Sequence, residues 1–277
     1  MSKHISIGVV AISYNEEEDL PGFLENLLPW VDEVVIVDDG SSDSTRKIAE
    51  SAGAKVKFIE SPRGEGEYYS HQRNKGIDAA ESDWLIHMDI DERVPDPLVD
   101  EMVQAIKDEK FLAYRYRREN YFLHRPMKGG GWQDWNQIHL AKRECLRFGG
   151  MFHENVILDP DDSSKVGQLH SKMIHLNDAS FAERLRKSST YLDEVVAKIL
   201  ETGKRIGFFS IGMSFVKEFI KKYFWKLGFR DGTPGLISAF HSATAMFRAY
   251  AVVWEKQNGI DRKAIEDQLR SDRESRA

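Results

Sequence analysis

The sequence has almost no cysteine and lacks the glycine-rich loops that bind phosphate groups. Cys145 is the single cysteine among 277 residues, which excludes a disulfide framework and a cysteine-rich zinc site. Such a chain fits a reducing compartment. Neither GxGxxG nor GxxxxGKS/T occurs in the sequence, which argues against dinucleotide oxidoreductases and ordinary ATPases. A bound diphosphate would therefore have to be neutralised by a metal and basic side chains.

Long apolar segments are also lacking. The first apolar run, Ile5–Ile12, is short, β-branched and followed by acidic residues, which predicts a first strand and not a signal peptide. The longest charge-free stretch, Gly232–Phe247, is interrupted by glycine, proline, serine and histidine. It is shorter than the ~20 apolar residues that a spanning helix needs. We therefore expect a chain that is associated with a membrane but does not span it.

Negative charge dominates the chain except in one segment. The net charge is −6, yet the segment Gly203–Arg230 carries seven basic residues against Glu218 alone, so it has a charge of +6 and the remainder −12. A cationic patch on an acidic protein predicts an anionic surface as partner, and bulk nucleic-acid binding is not expected.

The same segment shows an amphipathic pattern. Its apolar residues recur at helical spacing, with the lysines on the opposite side, which is typical of a helix lying in a membrane interface. The alternative is a helix that packs on the rest of the protein and keeps its basic face in solvent. The apolar positions are Val216, Phe219, Ile220, Tyr223, Phe224 and Leu227, and the lysines are Lys217, Lys221, Lys222 and Lys226.

Strand and helix patterns alternate through the first hundred residues, which predicts right-handed βαβ units and a parallel sheet. Leu112–Tyr116 is expected as a mixed or edge strand, the middle of the chain as loop-rich, and everything after Phe181 as helical. The predicted strands are Ile5–Ile12, Glu33–Val37, Lys55–Ile59 and Trp84–Met88. The predicted helices are Leu20–Leu28, one carrying Ile48 and Ala49 with Ser42 or Asp43 as its cap, Ser70–Ala80 and Leu98–Ile106.

Acidic pairs stand where two of these strands should end. Asp38 and Asp39 follow the second strand, and Asp89 and Asp91 follow the fourth. In an extended chain residues i and i+2 point the same way, so Asp89 and Asp91 can reach one hard cation. Ligands of open α/β sheets gather beyond the carboxyl ends of the strands. Without further context, such pairs are also typical of solvated turns and helix caps.

Four motifs in order supply that context: SYNEEEDL, VVIVDDGSSDST, HQRNKGI and WLIHMDIDERV. Together they resemble the nucleotide-binding half of family 2 glycosyltransferases of the GT-A fold. Later segments resemble the branch that contains lipopolysaccharide-core β-glucosyltransferases, namely YRYRRENYFLHRPMKGGGWQDW, FGGMFHE, MIHLND and KLGFRDGTPGLISAFHSATAMFRAYAVVWE.

The resemblance implies an α/β GT-A fold, with a mostly parallel sheet flanked by helices. Residues 1–178 would form the glycosyltransferase domain, with a nucleotide-sugar half (1–95) and an acceptor half (96–178). Residues 179–277 would form a helical, membrane-associating extension.

The resemblance also assigns the donor site. A nucleotide sugar would be bound by Ser13, Tyr14, Glu17, Asp38, Asp39, Arg73 and Asp89. Asp39 would accept a hydrogen bond from the base, as a carboxylate can from a uracil N–H. Asp89, Asp91 and His175 would hold Mn²⁺ or Mg²⁺ against the two phosphates, and a histidine ligand suits Mn²⁺ better than an oxygen-only Mg²⁺ site. A lone histidine is also often structural.

Inversion at the sugar needs a base for the acceptor hydroxyl. We favour Glu154, with Asp134 as the rival, and the chain lacks the Glu-Asp pair that many family members use here. His153 would orient the base, contact the acceptor or be a buried loop histidine. Trp132 and Trp135 would stack on acceptor sugar rings or pack under a lid.

These expectations combine into one function. We expect an inverting, metal-dependent enzyme that moves a hexose, glucose from UDP-glucose, onto a lipid-linked saccharide such as lipopolysaccharide core. It would be cytoplasmic and peripherally bound to the inner face of the membrane. The alternatives are the same chemistry on a peptide or protein acceptor, a sugar-phosphate nucleotidyltransferase, and a non-catalytic nucleotide-sugar scaffold. SYNEEEDL is the chemical opposite of the glycine- and arginine-rich loop of nucleotidyltransferases.

Overall fold

The computed structural model describes residues 4–150, 155–178, 180–190, 192–259 and 261–275. The chain divides into two compact units. The first consists of Met1–Met127 and Trp132–Ala179, and the second of Lys128–Gly131 and Ser180–Ala277.

The first unit contains a main mixed sheet, a separate two-stranded sheet formed by Leu146–Gly149 and Asn155–Leu158, and helices. Its strands are β1 (Ile7–Ser13), β2 (Glu33–Asp38), β3 (Val56–Glu60), β4 (Trp84–Met88), β5 (Glu92–Arg93), β6 (Ala113–Phe122), β7 (Arg125–Pro126), β8 (Asn136–Lys142), β9 (Leu146–Gly149), β10 (Asn155–Leu158) and β11 (Val166–Asp178). Its α-helices are α1 (Leu20–Leu27), α2 (Thr45–Ser51), α3 (Tyr69–Ala79) and α4 (Asp96–Ala105). Short 3-10 helices cover Trp132–Asp134, Arg143–Cys145 and Ser163–Lys165.

The strand order of the main sheet is β3-β2-β1-β4-β8-β6-β11-β5, with β7 paired to β6. The four strands from β3 to β4 are parallel, as the βαβ pattern predicts. β8 runs antiparallel to both of its neighbours, β6 and β11 are parallel, and β5 is antiparallel to β11. The predicted α/β class, with a parallel sheet half flanked by helices, is confirmed.

The strand β1 shows why its sequence is a continuous apolar run. Successive side chains of a strand point to opposite faces of the sheet, and here both faces are covered. Val9 and Ala11 pack into one core cluster with Phe23 of α1. Val10 packs into the cluster on the other face with Ile77 of α3. The carboxyl end of β1 is thereby fixed between two layers, at the edge where the acidic residues lie.

The predicted elements of the first hundred residues match the observed ones to within two residues. For α2, Ser44 occupies the N-cap position, and the Asp43 carboxylate still accepts from the Thr45 N–H at 3.0 Å. The predicted strand Leu112–Tyr116 becomes the longer β6, which lies between β8 and β11 and so is a mixed-sheet strand and not an edge strand.

The prediction of a loop-rich middle was wrong. Residues 113–178 contain the strands β6 to β11, and β11 alone spans 13 residues. Charged and polar residues occupy many of their outward positions, which hides the apolar alternation on which strand prediction depends. Their ladders also join segments distant in sequence, as β11 does with β6.

The second unit is helical, as predicted for the chain after Phe181. Its α-helices are α5 (Phe181–Thr190), α6 (Leu192–Glu201), α7 (Phe208–Ile220), α8 (Gly232–Asn258) and α9 (Arg262–Glu274). A buried apolar cluster joins Val196 and Ile206 to Val253 of α8. The segment Lys128–Gly131 belongs to this unit because its amides bond to the Asp231 carboxylate at 2.8 Å.

The predicted amphipathic helix is not continuous. Helix α7 ends at Ile220, a π-helical turn covers Lys221–Trp225, and Leu227 takes a left-handed conformation with φ of 60°. The π-turn adds residues to the helical repeat, so the apolar stripe and the lysines do not follow one straight helix face.

The expectation that no helix is long enough to span a membrane was wrong. Gly228–Asn258 has 31 residues, and its most apolar 18-residue window has a mean hydropathy of 1.2, so it is long and apolar enough by length and composition; 28% of that window is buried. Core helices of soluble proteins meet the same two criteria.

Candidate functional site

The acidic pair at the end of β4 lies beside His175 because of a short strand. Asp89 and Asp91 follow β4, and the chain then enters β5, in which Glu92 pairs with His175 of β11. The amide of Leu176 donates to the Asp91 carbonyl at 2.9 Å. Asp89, Asp91 and His175 each offer a ligand atom within 4.8 Å of the other two. The structure thus brings the three predicted metal ligands together.

Asn120, on β6, sets the chemistry of the His175 ring. Its amide nitrogen donates to the Trp132 carbonyl at 2.9 Å, so its oxygen must face Nδ1 of His175, 2.7 Å away. Nδ1 therefore carries a proton. Nε2 then faces a carboxylate oxygen of Asp91 at 3.2 Å. A proton on Nε2 or a cation shared by the two atoms satisfies this arrangement, and metal-bound histidines are commonly oriented by such an oxygen on the other ring nitrogen. The donor set fits a divalent cation.

Asp89 is held by two arginines. One carboxylate oxygen accepts from Arg73 at 3.1 Å and the other from Arg118 at 2.9 Å. Burial alone would raise its pKa, but the guanidinium groups of Arg118 and Arg73 hold the pKa of Asp89 well below its usual range. Asp89 is therefore an anion that two fixed cations orient.

Arg118 also pairs with Glu92, which is fully buried. Burial raises the pKa of Glu92 to about 7, although Arg118 opposes the shift. Glu92 in turn accepts from the Asp89 amide at 2.9 Å. The Arg118 guanidinium lies over the Trp135 ring, 4.1 Å from its centre. These contacts form one buried charged network beneath the acidic pair.

Two neutral histidines fill the space behind Arg73. His87 accepts from Arg73 at its Nδ1 (2.6 Å), and its ring stacks on His139 at 4.9 Å. His139 donates from Nδ1 to the His87 carbonyl at 2.8 Å. Burial lowers the pKa of His87 well below its usual value and that of His139 to about 3. Neither ring adds positive charge beside the arginines.

At the ends of β1 and β2, Asp38 is buried and organises the turn. It accepts from the Ser13 hydroxyl at 2.7 Å and from the Ser41 amide at 2.7 Å. Glu17 lies nearby and accepts from the Ser44 amide at 3.0 Å, while Tyr14 is 58% exposed. Of the residues predicted to line the nucleotide pocket here, Tyr14 and Glu17 are exposed, whereas Ser13 and Asp38 are buried.

Asp39 is engaged by a residue that the sequence did not point to. One carboxylate oxygen accepts from the Arg63 amide at 2.7 Å and from Gln72 at 3.1 Å. The other accepts from Nε of Arg63 at 2.7 Å, and Nη2 of Arg63 forms an ion pair with the same oxygen at 2.7 Å. The Arg63 guanidinium lies 3.8 Å from the centre of the Tyr69 ring.

The predicted acceptor residues are only partly described. Trp132 and Asp134 form the 3-10 helix before β8, and Asp134 is exposed. Trp132 stacks on Phe122 at 5.8 Å, and Trp135 is half-buried against the core and Arg118, so both rings have packing contacts. Glu154 and His153, the favoured base and its neighbour, lie outside the described residues.

Several site residues escaped sequence reasoning: Glu92, Arg118, Asn120, Arg63 and Gln72. A signal existed for two of them, because Tyr116, Arg118 and Asn120 alternate and so share one face of β6. Arg63 lies in the irregular segment between β3 and α3, where no periodicity indicates direction.

Comparison with known proteins agrees with these observations. The profile described as "Glycosyl transferase family 2" matches residues 8–154. An uncharacterized glycosyltransferase of Rickettsia felis is 25% identical over 260 residues, covering 90% of this chain and 89% of that protein. The lipopolysaccharide core biosynthesis glycosyltransferase LpsC of Rhizobium meliloti is 24% identical over 277 residues, covering 97% of this chain and 99% of that protein.

The chain is also similar to solved structures. Glucosyl-3-phosphoglycerate synthase from Mycobacterium tuberculosis, in complex with Mn²⁺, UDP and glucosyl-3-phosphoglycerate, gives a TM-score of 0.46 at 19% identity, covering 63% of this chain and 73% of that chain. The same enzyme in complex with UDP gives 0.47 at 18% identity, covering 65% and 75%.

Proposed function

Because this chain belongs to glycosyl transferase family 2 and has the GT-A fold, we propose that it transfers glucose from UDP-glucose, with inversion, onto a lipid-linked saccharide. The observation that carries the proposal is the ligand group at the end of β4, in which Asn120 orients His175 toward Asp91. Similarity to LpsC over nearly the whole chain supports a lipopolysaccharide-core acceptor.

The donor diphosphate would be held at this group. Asp89, Asp91 and His175 would bind Mn²⁺ or Mg²⁺, and the imidazole ligand favours Mn²⁺. The bound cation would offset the negative charge that develops on the leaving diphosphate. Arg73 and Arg118 hold Asp89 in its charged form, which keeps this carboxylate available as a ligand for the cation.

The acceptor hydroxyl must lose a proton as its oxygen bonds to the sugar from the face opposite the leaving group. Asp134 and Glu154 are the candidate bases, and Asp134 is the one whose position is described. Its helix is tied to the ligand group, because Asn120 donates to the carbonyl of Trp132. His153 would orient the base or contact the acceptor. Trp132 and Trp135 would stack on acceptor sugar rings.

The second unit has exposed aromatic rings and basic side chains that would suit an anionic membrane. Phe208 and Phe209 are 84% and 82% exposed, and Trp225 is 78% exposed. Lys221 and Lys226 lie in and beside the same π-turn as Trp225. Aromatic rings next to basic groups are expected where a protein enters the headgroup layer. We propose peripheral binding to the inner face of the cytoplasmic membrane.

A donor-turnover screen tests the proposed chemistry. Purified protein would be incubated with a panel of nucleotide sugars and either Mn²⁺ or Mg²⁺, and release of the nucleoside diphosphate measured. We expect turnover of UDP-glucose with Mn²⁺ and a loss of roughly 100-fold or more in Asp91→Asn, since one metal ligand is removed. Asp100→Asn, an exposed carboxylate on α4, is the matched control. Full activity of Asp91→Asn would contradict the metal assignment.

Vesicle binding tests the proposed surface. Replacement of Lys221, Lys222 and Lys226 by Gln should weaken binding to anionic vesicles by about 100-fold, at about 1 kcal/mol for each lysine near the surface. Replacement of Lys47, Lys107 and Lys110, exposed lysines of the first unit, is the control. Equal vesicle binding by both triple variants would contradict the proposed membrane surface and would indicate that this helical segment only packs against the protein.

The acceptor class needs its own assay. A peptide or protein acceptor would use the same donor site, so the acceptor assay must compare lipid-linked saccharides with peptides. Membership of a glycosyltransferase family removes support from the nucleotidyltransferase and scaffold alternatives.

A further inference from the structure

We infer that Asn74 is a positioning residue for the transfer step: it anchors the β9–β10 hairpin, and through that hairpin it fixes the chain from which Glu154 extends. The inference rests on the proposed function, with Glu154 as the base. Asn74 would act through the hairpin alone and would not contact the donor. Glu154 lies outside the described residues, but the strands on both sides of its segment are described.

The β9–β10 hairpin needs an anchor because, within the described residues, it forms a sheet of its own beside the main sheet. At one end Leu146 pairs with Leu158, and both pack into a buried apolar cluster. At the other end Gly149 pairs with Asn155, which directly follows Glu154 in the sequence. The apolar cluster fixes the first end, and the second end depends on separate contacts.

Asn74, on α3, supplies two of these contacts. Its Nδ2 donates to the Phe148 carbonyl at 2.9 Å, and its Oδ1 accepts from the Phe148 amide, also at 2.9 Å. The side chain thus pairs with β9 as the backbone of a neighbouring strand would. One turn earlier on the same helix face, the Ser70 hydroxyl donates to the Gly150 carbonyl at 3.0 Å. Three hydrogen bonds from α3 therefore fix the chain up to Gly150.

The donor side of the site has an anchor of its own on the same helix. Arg73 bonds to Asp89 at 3.1 Å through its own side chain. The Phe148 ring meets the edge of the His87 ring at 4.6 Å, which adds packing between the hairpin and β4. Loss of the Asn74 amide leaves both the ion pair and the ring contact in place. We therefore expect Asn74 to affect the chemical step and not donor binding.

The chemical step depends on where the base lies. The bond from the anomeric carbon to the diphosphate breaks and its electron pair leaves with the diphosphate. The acceptor oxygen bonds to the anomeric carbon, and Glu154 takes the proton of that oxygen. Water can serve as the acceptor, so hydrolysis of UDP-glucose reports on the same proton transfer. A misplacement of about 1 Å can cost about 100-fold in rate.

Steady-state hydrolysis of UDP-glucose by the intact chain with Mn²⁺, followed as UDP release, tests the inference. Asn74→Ala should lower kcat by about 10–100-fold, because the hairpin loses two of its three hydrogen bonds to α3. KM, and the affinity for UDP with Mn²⁺ measured by calorimetry, should stay within about twofold of the wild type, as for an interaction that matters only in the transition state. Ser70→Ala, which loses one bond, should have a smaller effect on kcat.

A double-mutant cycle connects Asn74 to the base. Glu154→Gln should lower kcat by about 100-fold or more, since the general base is removed. Asn74→Ala combined with Glu154→Gln should be no slower than Glu154→Gln alone, because residues that act as a unit lose their effect together. A role of Asn74 in stability alone would instead give additive losses.

Asn26→Ala is the matched control. Asn26, on α1, makes the same pair of bonds to a backbone, donating to the Val94 carbonyl at 2.9 Å and accepting from the Val94 amide at 2.7 Å. Its replacement should lower the melting temperature about as much as Asn74→Ala does. The kcat of Asn26→Ala should stay close to that of the wild type.

The outcomes are distinct. Unchanged kcat in Asn74→Ala or in Glu154→Gln would overturn the inference, and so would additive losses in the double variant. Weaker UDP binding at unchanged kcat in Asn74→Ala would also overturn it, because Asn74 would then act on the donor side. If Asn74→Ala does not fold, the same cycle with Ser70→Ala decides. A wild type that releases no UDP from UDP-glucose would instead overturn the proposed function.

Discussion

The two units of this chain place their unusual side chains in opposite environments. The first unit buries charge, with Glu92 fully buried and the Arg118 side chain 10% exposed. The second exposes apolar rings, with Phe208 and Trp225 84% and 78% exposed. Buried ions cost free energy unless they are paired, and exposed aromatic patches mark surfaces that meet a partner. Each unit thus departs from ordinary packing where its proposed partner binds, a charged donor in one and a membrane in the other.

The largest effect should come from breaking the buried network. Arg118→Met removes the counter-charge of the fully buried Glu92 and one of the two arginines that hold Asp89. It should lower the free energy of unfolding by about 3–5 kcal/mol, because a buried carboxylate loses its partner. Urea unfolding measures this. Arg46→Met is the control, since its partners Glu50 and Glu60 are more than half exposed and such pairs contribute under about 1 kcal/mol. If both variants lost the same free energy of unfolding, buried and surface ion pairs would not differ in their contribution to stability, contrary to the prediction.

Asn120 should affect the ligand group without being a ligand. In Asn120→Ala the His175 ring loses the oxygen that fixes its proton on Nδ1. We expect Mn²⁺ affinity to fall by about 10–100-fold, the usual effect of removing such an orienting group. Asn136→Ala, which loses a bond to Gln168 on the sheet surface, is the control for Mn²⁺ titration. Unchanged affinity in Asn120→Ala would show that the ring is held by other contacts.

Buried His139 should make the first unit sensitive to acid. Burial lowers its pKa to about 3, so as pH falls the unfolded chain binds the proton first, near pH 6.5. Stability is therefore lost between roughly pH 6.5 and 3, by about 2 kcal/mol at pH 5 for this group. His139→Asn, whose amide can still donate to the His87 carbonyl, should flatten the pH dependence of unfolding between pH 7.5 and 5. Parallel curves for variant and wild type would contradict this.

The smallest effect on stability should come from the exposed rings. Phe208→Ser with Phe209→Ser removes apolar groups that are already in solvent, so the free energy of unfolding should change by less than about 0.5 kcal/mol for each. Binding to anionic vesicles, measured by co-sedimentation, should fall. Leu269→Ser, at an exposed position on α9, controls for loss of surface hydrophobicity alone. A large loss of stability with unchanged vesicle binding would show that these rings stabilise the fold and do not bind the membrane.

Sequence reasoning succeeded where the signal is local. The four parallel strands are short apolar runs bounded by turns, so composition and spacing were enough. The i, i+2 spacing of Asp89 and Asp91 likewise follows from strand geometry. His175 was identified only through resemblance to a family, because its neighbours depend on the pairing of β5 with β11 more than eighty positions along the chain.

Other features depend on contacts that spacing does not encode. The Arg63 side chain is positioned by the Asp39 carboxylate and the Tyr69 ring. The Arg118 side chain is positioned by the carboxylates of Asp89 and Glu92. The segment after Val216 does contain the apolar residues and lysines of the predicted amphipathic helix. The π-turn after Ile220, however, changes which of these side chains share a helix face. The rings with the highest exposure, Phe208 and Phe209, lie before that pattern begins and were not identified.

The central claim is that Asp89, Asp91 and His175 bind one divalent cation. Mn²⁺ titration with UDP present, followed by electron paramagnetic resonance, tests it most directly because bound and free Mn²⁺ give different signals. We predict one bound Mn²⁺ per wild-type chain and none at the same concentrations in Asp91→Asn, with Asp100→Asn behaving as wild type. An unchanged Mn²⁺ stoichiometry and affinity in Asp91→Asn would contradict the claim.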